Sequence, residues 1–172
     1  MTDVVGTVAD LISSTGTKFY LCATAPTITG VEEDDLDAFD ALVWVEVGMV
    51  ESIGEFGPEG TIGTFMPLGT GVACKYRGTT DNGEVQLSIA KTTTDTGLAA
   101  LIGRQGNPVE AAFKVELAEA GTGTGALAQR YVFLGLVKSA RVTVGSGDEL
   151  VKVSCTIAIT GALIEGDKAD GT

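Results

Sequence analysis

Alternation of apolar and polar positions is clearest near the end of the chain. In "ELVKVSCTIAIT" (149–160), Val151, Val153, Cys155, Ile157 and Ile159 share one parity, while Lys152, Ser154, Thr156 and Thr160 share the other. Successive side chains of a strand point to opposite faces, so this pattern predicts a strand with one buried row and one polar row. "EVQLSIA" (84–90) repeats it with Val85, Leu87 and Ile89, and "VEAAFKVELAEA" (109–120) alternates around Phe113, Val115 and Leu117. "AQRYVFLGLVKS" (128–139) is apolar on both parities, which predicts a strand covered on both faces. "GSGD" between "ARVTV" and the final strand predicts a hairpin.

Upstream, "TKFYLCATA" (17–25) reads as a first strand and "VWVEVGMVESI" (43–53) as β-rich chain, with the lone Trp44 as candidate core anchor. "GEFGPEGTIG" (54–63) interrupts it with turn residues. "TFMPLGTGVACKYRG" (64–78) resumes extended chain, with Pro67 marking an edge or bulge. Asn82-Gly83 predicts a hairpin turn into the strand at 84–90. Helical spacing occurs once with conviction, at about 95–104, where Thr94 or Asp95 caps an apolar stripe of Leu98, Leu101 and Ile102. The connection 25–41 is long and acidic, with room for a short helix from Asp35 to Leu42 capped by Asp34 or Asp35.

These elements predict a mainly β protein of about seven or eight strands, a β-sandwich or barrel with one flanking α-helix. The expected organisation is an N-terminal arm over 1–16, a β domain over 17–165 and a flexible tail over 166–172. No repeat of solenoid period is visible.

Composition narrows the function. The 172 residues carry a net charge of −12, which disfavours direct binding of nucleic-acid phosphates, since that needs clustered Lys and Arg. Without histidine, the usual nucleophilic triads lack their base and metal sites their commonest ligand. Cys22, Cys74 and Cys155 are far apart and form no CxxC pair, and read as three buried free thiols made in a reducing cytoplasm. The N-terminus has no basic start or continuous apolar core, so no secretory signal is expected, and no apolar run approaches the roughly 20 residues of a membrane span.

An EF-hand reading of the acidic run starting at Glu33 places Ala38 where glycine belongs and Trp44 where the bidentate acid belongs, so no calcium loop is expected there. "GTGTG" (121–125) lacks the Lys-Ser/Thr of a phosphate loop and reads as a hairpin tip. Aromatics, at 6%, are too few for a sugar platform beside the carboxylates. No catalytic residue, cofactor or metal site is expected. A secreted or surface β-sandwich that binds calcium or carbohydrate is the alternative from another class.

One long stretch carries a resemblance. "WVEVGMVESIGEFGPEG" (44–60), then "FMPLGTGVACKYRGTTDNGEVQLSIA" (65–90), then "TDTGLAALIG", "AAFKVEL", "FLGLVKSARVTVGSGD" and "VKVSCTIAIT", follow the order seen in major tail tube proteins of long-tailed, siphophage-type bacteriophages and related gene transfer agents. The chain resembles that family over about residues 15 to 165. The resemblance implies a structural subunit of a virion tail, made in the bacterial host cytoplasm, whose copies close into hexameric rings. These rings stack into a tube that conducts DNA without binding it specifically. The implied partners are further copies of the chain and the tail tip or baseplate, tape measure and tail terminator proteins, with no membrane insertion. Phage-derived bacteriocins and the type VI secretion tube share the fold.

Two groups of acids then become candidate sites. Glu46, Glu51, Glu55 and Glu59 are candidates for a channel wall that repels phosphates. Glu51 and Glu55 share a parity, and Glu46 joins them only if a bulge intervenes, with Gly48 a place for it. The other reading makes them solvated strand-edge residues that block unwanted pairing. Glu32, Glu33, Asp34, Asp35 and Asp37 are candidates for a loop that meets the neighbouring ring.

Overall fold

The computed structural model describes residues 12–30, 32–118 and 129–167. The expected tip at 121–126 and most of the expected N-terminal arm and tail lie outside the described residues. Among the described residues, nine strands and two helices follow in the order β1 (Lys18–Cys22), α1 (Glu32–Asp40), β2 (Val45–Val47), β3 (Val50–Ile53), β4 (Glu59–Phe65), β5 (Cys74–Asp81), β6 (Glu84–Ala90), α2 (Thr96–Gly103), β7 (Ala111–Glu116), β8 (Gln129–Thr143) and β9 (Lys152–Asp167).

Seven strands form one antiparallel sheet in the order β2-β1-β7-β8-β9-β6-β3. Its edge strands, β2 and β3, are separated in sequence only by Gly48 and Met49. Two edges that close together can belong to one sheet only if it curls round, so the sheet wraps into a barrel. Met49 takes a positive φ of 52° at this corner, a conformation uncommon outside glycine. Its carbonyl accepts from the Ala90 amide at 2.9 Å.

Inward rows predicted by alternation fill the barrel: Phe19, Leu21, Val85, Leu87, Ile89, Phe113, Val115, Phe133, Val153, Cys155 and Ile157 are all buried. The phenyl rings of Phe19, Phe113 and Phe133 run in series, with centroids 5.9 and 5.6 Å apart. α2 contributes Leu98 and Leu101 to this core. The Asp95 carboxylate accepts from the Gly97 and Leu98 amides at 2.9 and 3.1 Å and caps the helix, and its other oxygen accepts from Gly48 N at 2.9 Å. A Cβ on Gly97 would fall 2.9 Å from Val47 Cα and nearer still to the Glu46 carbonyl, so only glycine lets the helix sit on β2.

β8 is covered on both faces, as its double apolar parity predicts. Phe133 and Val137 face the barrel, while Val132 and Leu134 face a second cluster with Cys22, Phe39, Ala112 and Ile164. α1 supplies Phe39 and Leu36 to that cluster, so the acidic 25–41 segment holds a docked helix, and two helices flank the sheet instead of one. Trp44 belongs to this outer cluster, not to the barrel interior. It stacks on Phe39 at 6.4 Å and donates its indole N–H to the Phe39 carbonyl at 3.2 Å.

Residues 79–83 depart from the expected hairpin. β5 pairs with β4, with the turn at 66–73, and Asn82-Gly83 forms a corner through which β5 passes into β6. Gly83 has φ +73°, its amide is held by the Asp81 carboxylate at 3.0 Å, and its carbonyl accepts from Ile159 N at 3.0 Å. Asn-Gly supplies the positive φ either turn needs, but the dipeptide does not say which strands pair.

Candidate assembly interface

The chain leaves the barrel at "IGEFGPEG". Gly54 N bonds to the Gln86 carbonyl at 2.7 Å, and Phe56 then turns back against Tyr131 and Phe133, with centroids 5.5 and 6.5 Å apart. Gly57 takes φ +146° and Pro58 follows, so Phe56 is anchored while the backbone departs. Beyond it, β4 and β5 pair only with each other. Ile62, Phe65, Met66, Leu68, Val72 and Tyr76 are all exposed on this arm, as are Lys75 and Arg77. Monomeric proteins rarely leave such an apolar patch uncovered, so the arm has the character of an interface. Within it, the Tyr76 ring lies over Gly63, filling the space a side chain would take.

The sheet also offers open edges. Among the described residues β7 pairs with β8 only over Arg130–Gly135, so on the side away from β9, residues 136–143 of β8 have no strand neighbour there. At the far side of the same wall, β3 pairs only with β6. The wall β8-β9-β6-β3 has four antiparallel strands and, among the described residues, two edges without a paired strand. An even count makes those edges run in opposite directions, so the β3 edge of one copy and the β8 edge of another would continue the antiparallel alternation. The outward face of this wall carries Gln86, Ser88, Ser154, Thr156 and Thr143, with Glu51, Glu84, Lys138, Arg141 and Lys152 among them.

The four glutamates expected to act together are dispersed. Glu46 lies on β2 at the opposite edge of the sheet and pairs with Lys18 at 3.4 Å. Glu51 stands on β3, where its carboxylate accepts from Lys152 Nζ at 2.6 Å and Ser88 Oγ at 2.8 Å, and the Lys152 and Ser88 hydrogen bonds hold its pKa below the ordinary glutamate value. The register irregularity falls at Glu51, between Val50 and Ser52, not at Gly48. Glu55 and Glu59 are exposed around a cavity of about 450 Å³ shared with Phe56, Asn82 and Glu84.

The second acidic group lies on α1. Glu32, Glu33, Asp34 and Asp37 are exposed, but Asp35 is 2% exposed and turned inward. Its carboxylate accepts from Thr29 N at 2.7 Å, Thr29 Oγ1 at 2.8 Å and Gly30 N at 3.1 Å, and these bonds, the Thr29 amide foremost, lower its pKa. It ties the loop to the helix from inside the first turn instead of capping it. Asp40, at the other end of α1, forms a bidentate pair with Arg130 of β8, one arm of it at 2.8 Å. Beside this pair, Lys114 lies 4.3 Å from the Tyr20 ring centroid and 5.1 Å from that of Trp44. Burial holds its pKa below the usual lysine value, against the opposing pull of Glu116.

Sequence reasoning missed the apolar arm and the lysine partners. Phe65, Met66 and Leu68 look like core residues in a linear reading. Lys152 and Lys138 meet their acids only through strand order. Among the described residues no group of three or more Cys, Asp or Glu side chains is placed to hold a metal ion, and no helix is long and apolar enough to cross a membrane.

No protein-family model matches the chain, and no curated protein matches it. Solved structures do. The chain is similar to a protein of the SPP1 tail tube, with a TM-score of 0.59 and 11% identity, over 93% of this chain and 81% of that one. It is also similar to a chain of the anti-feeding prophage baseplate, with a TM-score of 0.57 and 8% identity, over 87% of this chain and 91% of that one. The fold is the tail-tube type.

Proposed function

We propose that this chain is a structural subunit of a phage-type tail tube, in which six copies close into a ring and rings stack around a channel that conducts DNA. The observation that carries the reading is the four-stranded wall with two complementary free edges, next to an apolar arm that the subunit leaves uncovered. A head-to-tail joint between the β3 edge and residues 136–143 of the next copy uses the same contact at every step, and such contacts close into rings when the rotation fits. The fold shared with the SPP1 tail tube, and the 6-fold symmetry of the prophage baseplate, support the number and the role.

In such a ring the bare polar face of the wall lines the channel, because α1 covers the sheet on the other side of the barrel. The arm reaches a neighbouring copy, and the exposed acids of α1 lie at the periphery, where stacking contacts form. The chain acts through assembly, with the tail tip or baseplate, tape measure and terminator proteins as its other partners, and its place is the virion tail.

Negative-stain microscopy of the concentrated protein tests this. Rings or hollow tubes are the expected result. A strictly monomeric protein across salt and concentration would overturn it.

A further inference from the structure

Residues of one wall make its polar face unlike the rest of this acidic chain. Three cations, Lys138, Arg141 and Lys152, stand there against two carboxylates, Glu51 and Glu84, although the whole chain carries −12. Both carboxylates are spent on lysines. Lys152 reaches Glu51 at 2.6 Å and Lys138 reaches Glu84 at 2.5 Å.

Neither pair is a simple neighbour contact. Lys152 is in register with Ala90, and Glu51 lies on the strand beyond; Glu84 is in register with Ala158, and Lys138 lies on the strand beyond. An alanine between each pair leaves the span clear. Glu51 and Lys138 each occupy the extra position of a register irregularity, in β3 and β8 respectively. A bulge re-aims the side chain it carries, so two separate bulges point one member of each pair at the other. Ser88 Oγ donates to the second oxygen of Glu51 and fixes that carboxylate further.

We propose that Glu51 and Glu84 are masking residues, which neutralise Lys152 and Lys138 so that, of the three cations on this face, duplex DNA meets only Arg141 without an acid beside it. The inference rests on the tail-tube reading and changes one part of it: pairing of the two lysines, not excess negative charge, weakens the hold of this wall on DNA. Unmasked lysines, repeated around every ring, would hold phosphates by counterion release. Charge pairing keeps the cations as strand-to-strand ties while removing them as phosphate ligands.

The test uses tubes polymerised from the full chain and a fluorescent duplex oligonucleotide in low salt, with retention read by co-sedimentation. Wild-type tubes, with Arg141 as the unpaired cation of the face, are expected to hold the duplex weakly. Tubes of Glu51→Gln/Glu84→Gln are expected to retain more of it. If each freed lysine holds one phosphate, retention falls about tenfold between roughly 50 and 200 mM salt. Adding Lys138→Ala and Lys152→Ala to that variant is expected to return retention to the wild-type level. Should Glu51→Gln/Glu84→Gln fail to polymerise, the same comparison is made with wild-type tubes doped with a minority of the variant. Tubes that contain the variant and retain no more duplex than wild type overturn the masking inference alone. Failure of the wild-type chain to form any ring or tube overturns the tail-tube reading and takes the inference with it.

Discussion

Asp35 shows how far a single acid departs from its apparent role. Five acids in a run look interchangeable, and four of them are exposed on α1. The fourth turns inward and gathers Thr29 and Gly30 through three hydrogen bonds. Those bonds favour the charged form, so the folded-state pKa lies below the unfolded one. The stabilisation is therefore complete above the ordinary aspartate value of about 3.9 and is lost as pH falls through the lowered folded value. Asp35→Asn should lower the urea midpoint at pH 7, and the gap from wild type should shrink toward pH 3. A gap that is the same at both pH values would show that charge plays no part. The distinction was not legible in the sequence, because nothing local separates Asp35 from Asp34 or Asp37; only the helix phase and the returning loop do.

Elements were more legible than their connections. Strict alternation located β6, β7 and β9, and the Asp95 cap located α2, because a half-buried strand and a capped helix write their period into adjacent residues. The double parity of β8 announced a covered outer face, but not that α1 covers it. Pairing was hidden for a physical reason: Asn-Gly permits a positive φ without naming the strands on either side, and apolar residues in β4 and β5 look the same in a core or on an arm. The attachment of α1 makes a test at this scale. Arg130 is nearly buried beneath the helix, with side-chain exposure of 8% against 32% for Asp40. Asp40→Asn removes the charge partner and leaves the guanidinium without it. Since Asp40 is itself a third exposed, the expected cost is about 1–3 kcal/mol, below that of breaking a fully buried pair. Trp44 reports it, because its indole is fixed by Phe39 of the same helix. Its emission in Asp40→Asn should shift to the red at a lower urea concentration than the loss of β-sheet circular dichroism. Coincident transitions would mean that α1 is an integral part of the barrel and not a separately docked element.

For the whole molecule, the balance of apolar surface is set by which parts are finished. The barrel interior is filled, with Leu98 and Leu101 of α2 and with Phe56 packed against it, and α1 covers part of its outer face; the arm and the sheet edges are left open. The cysteines fall on either side of that division. Cys155 lies in the barrel core, where burial pushes its thiol up to about 11, and Cys22 is buried in the outer cluster. Cys74, expected to be buried like the other two, begins β5 and is exposed on the arm, because β5 leaves the barrel. Reactivity requires an accessible thiolate, so in the soluble chain Cys74 should take up maleimide quickly at pH 7, with Cys22 and Cys155 reacting only on unfolding. If assembly buries the arm against a neighbouring copy, labelling of Cys74 in tubes should slow by about tenfold or more, as expected for a thiol removed from solvent. Mass spectrometry of labelled monomer and labelled tube gives the ratio directly. Equal labelling in both would leave the apolar arm facing solvent in the tube, and the subunit contacts would then have to be made by the open edges of the sheet alone.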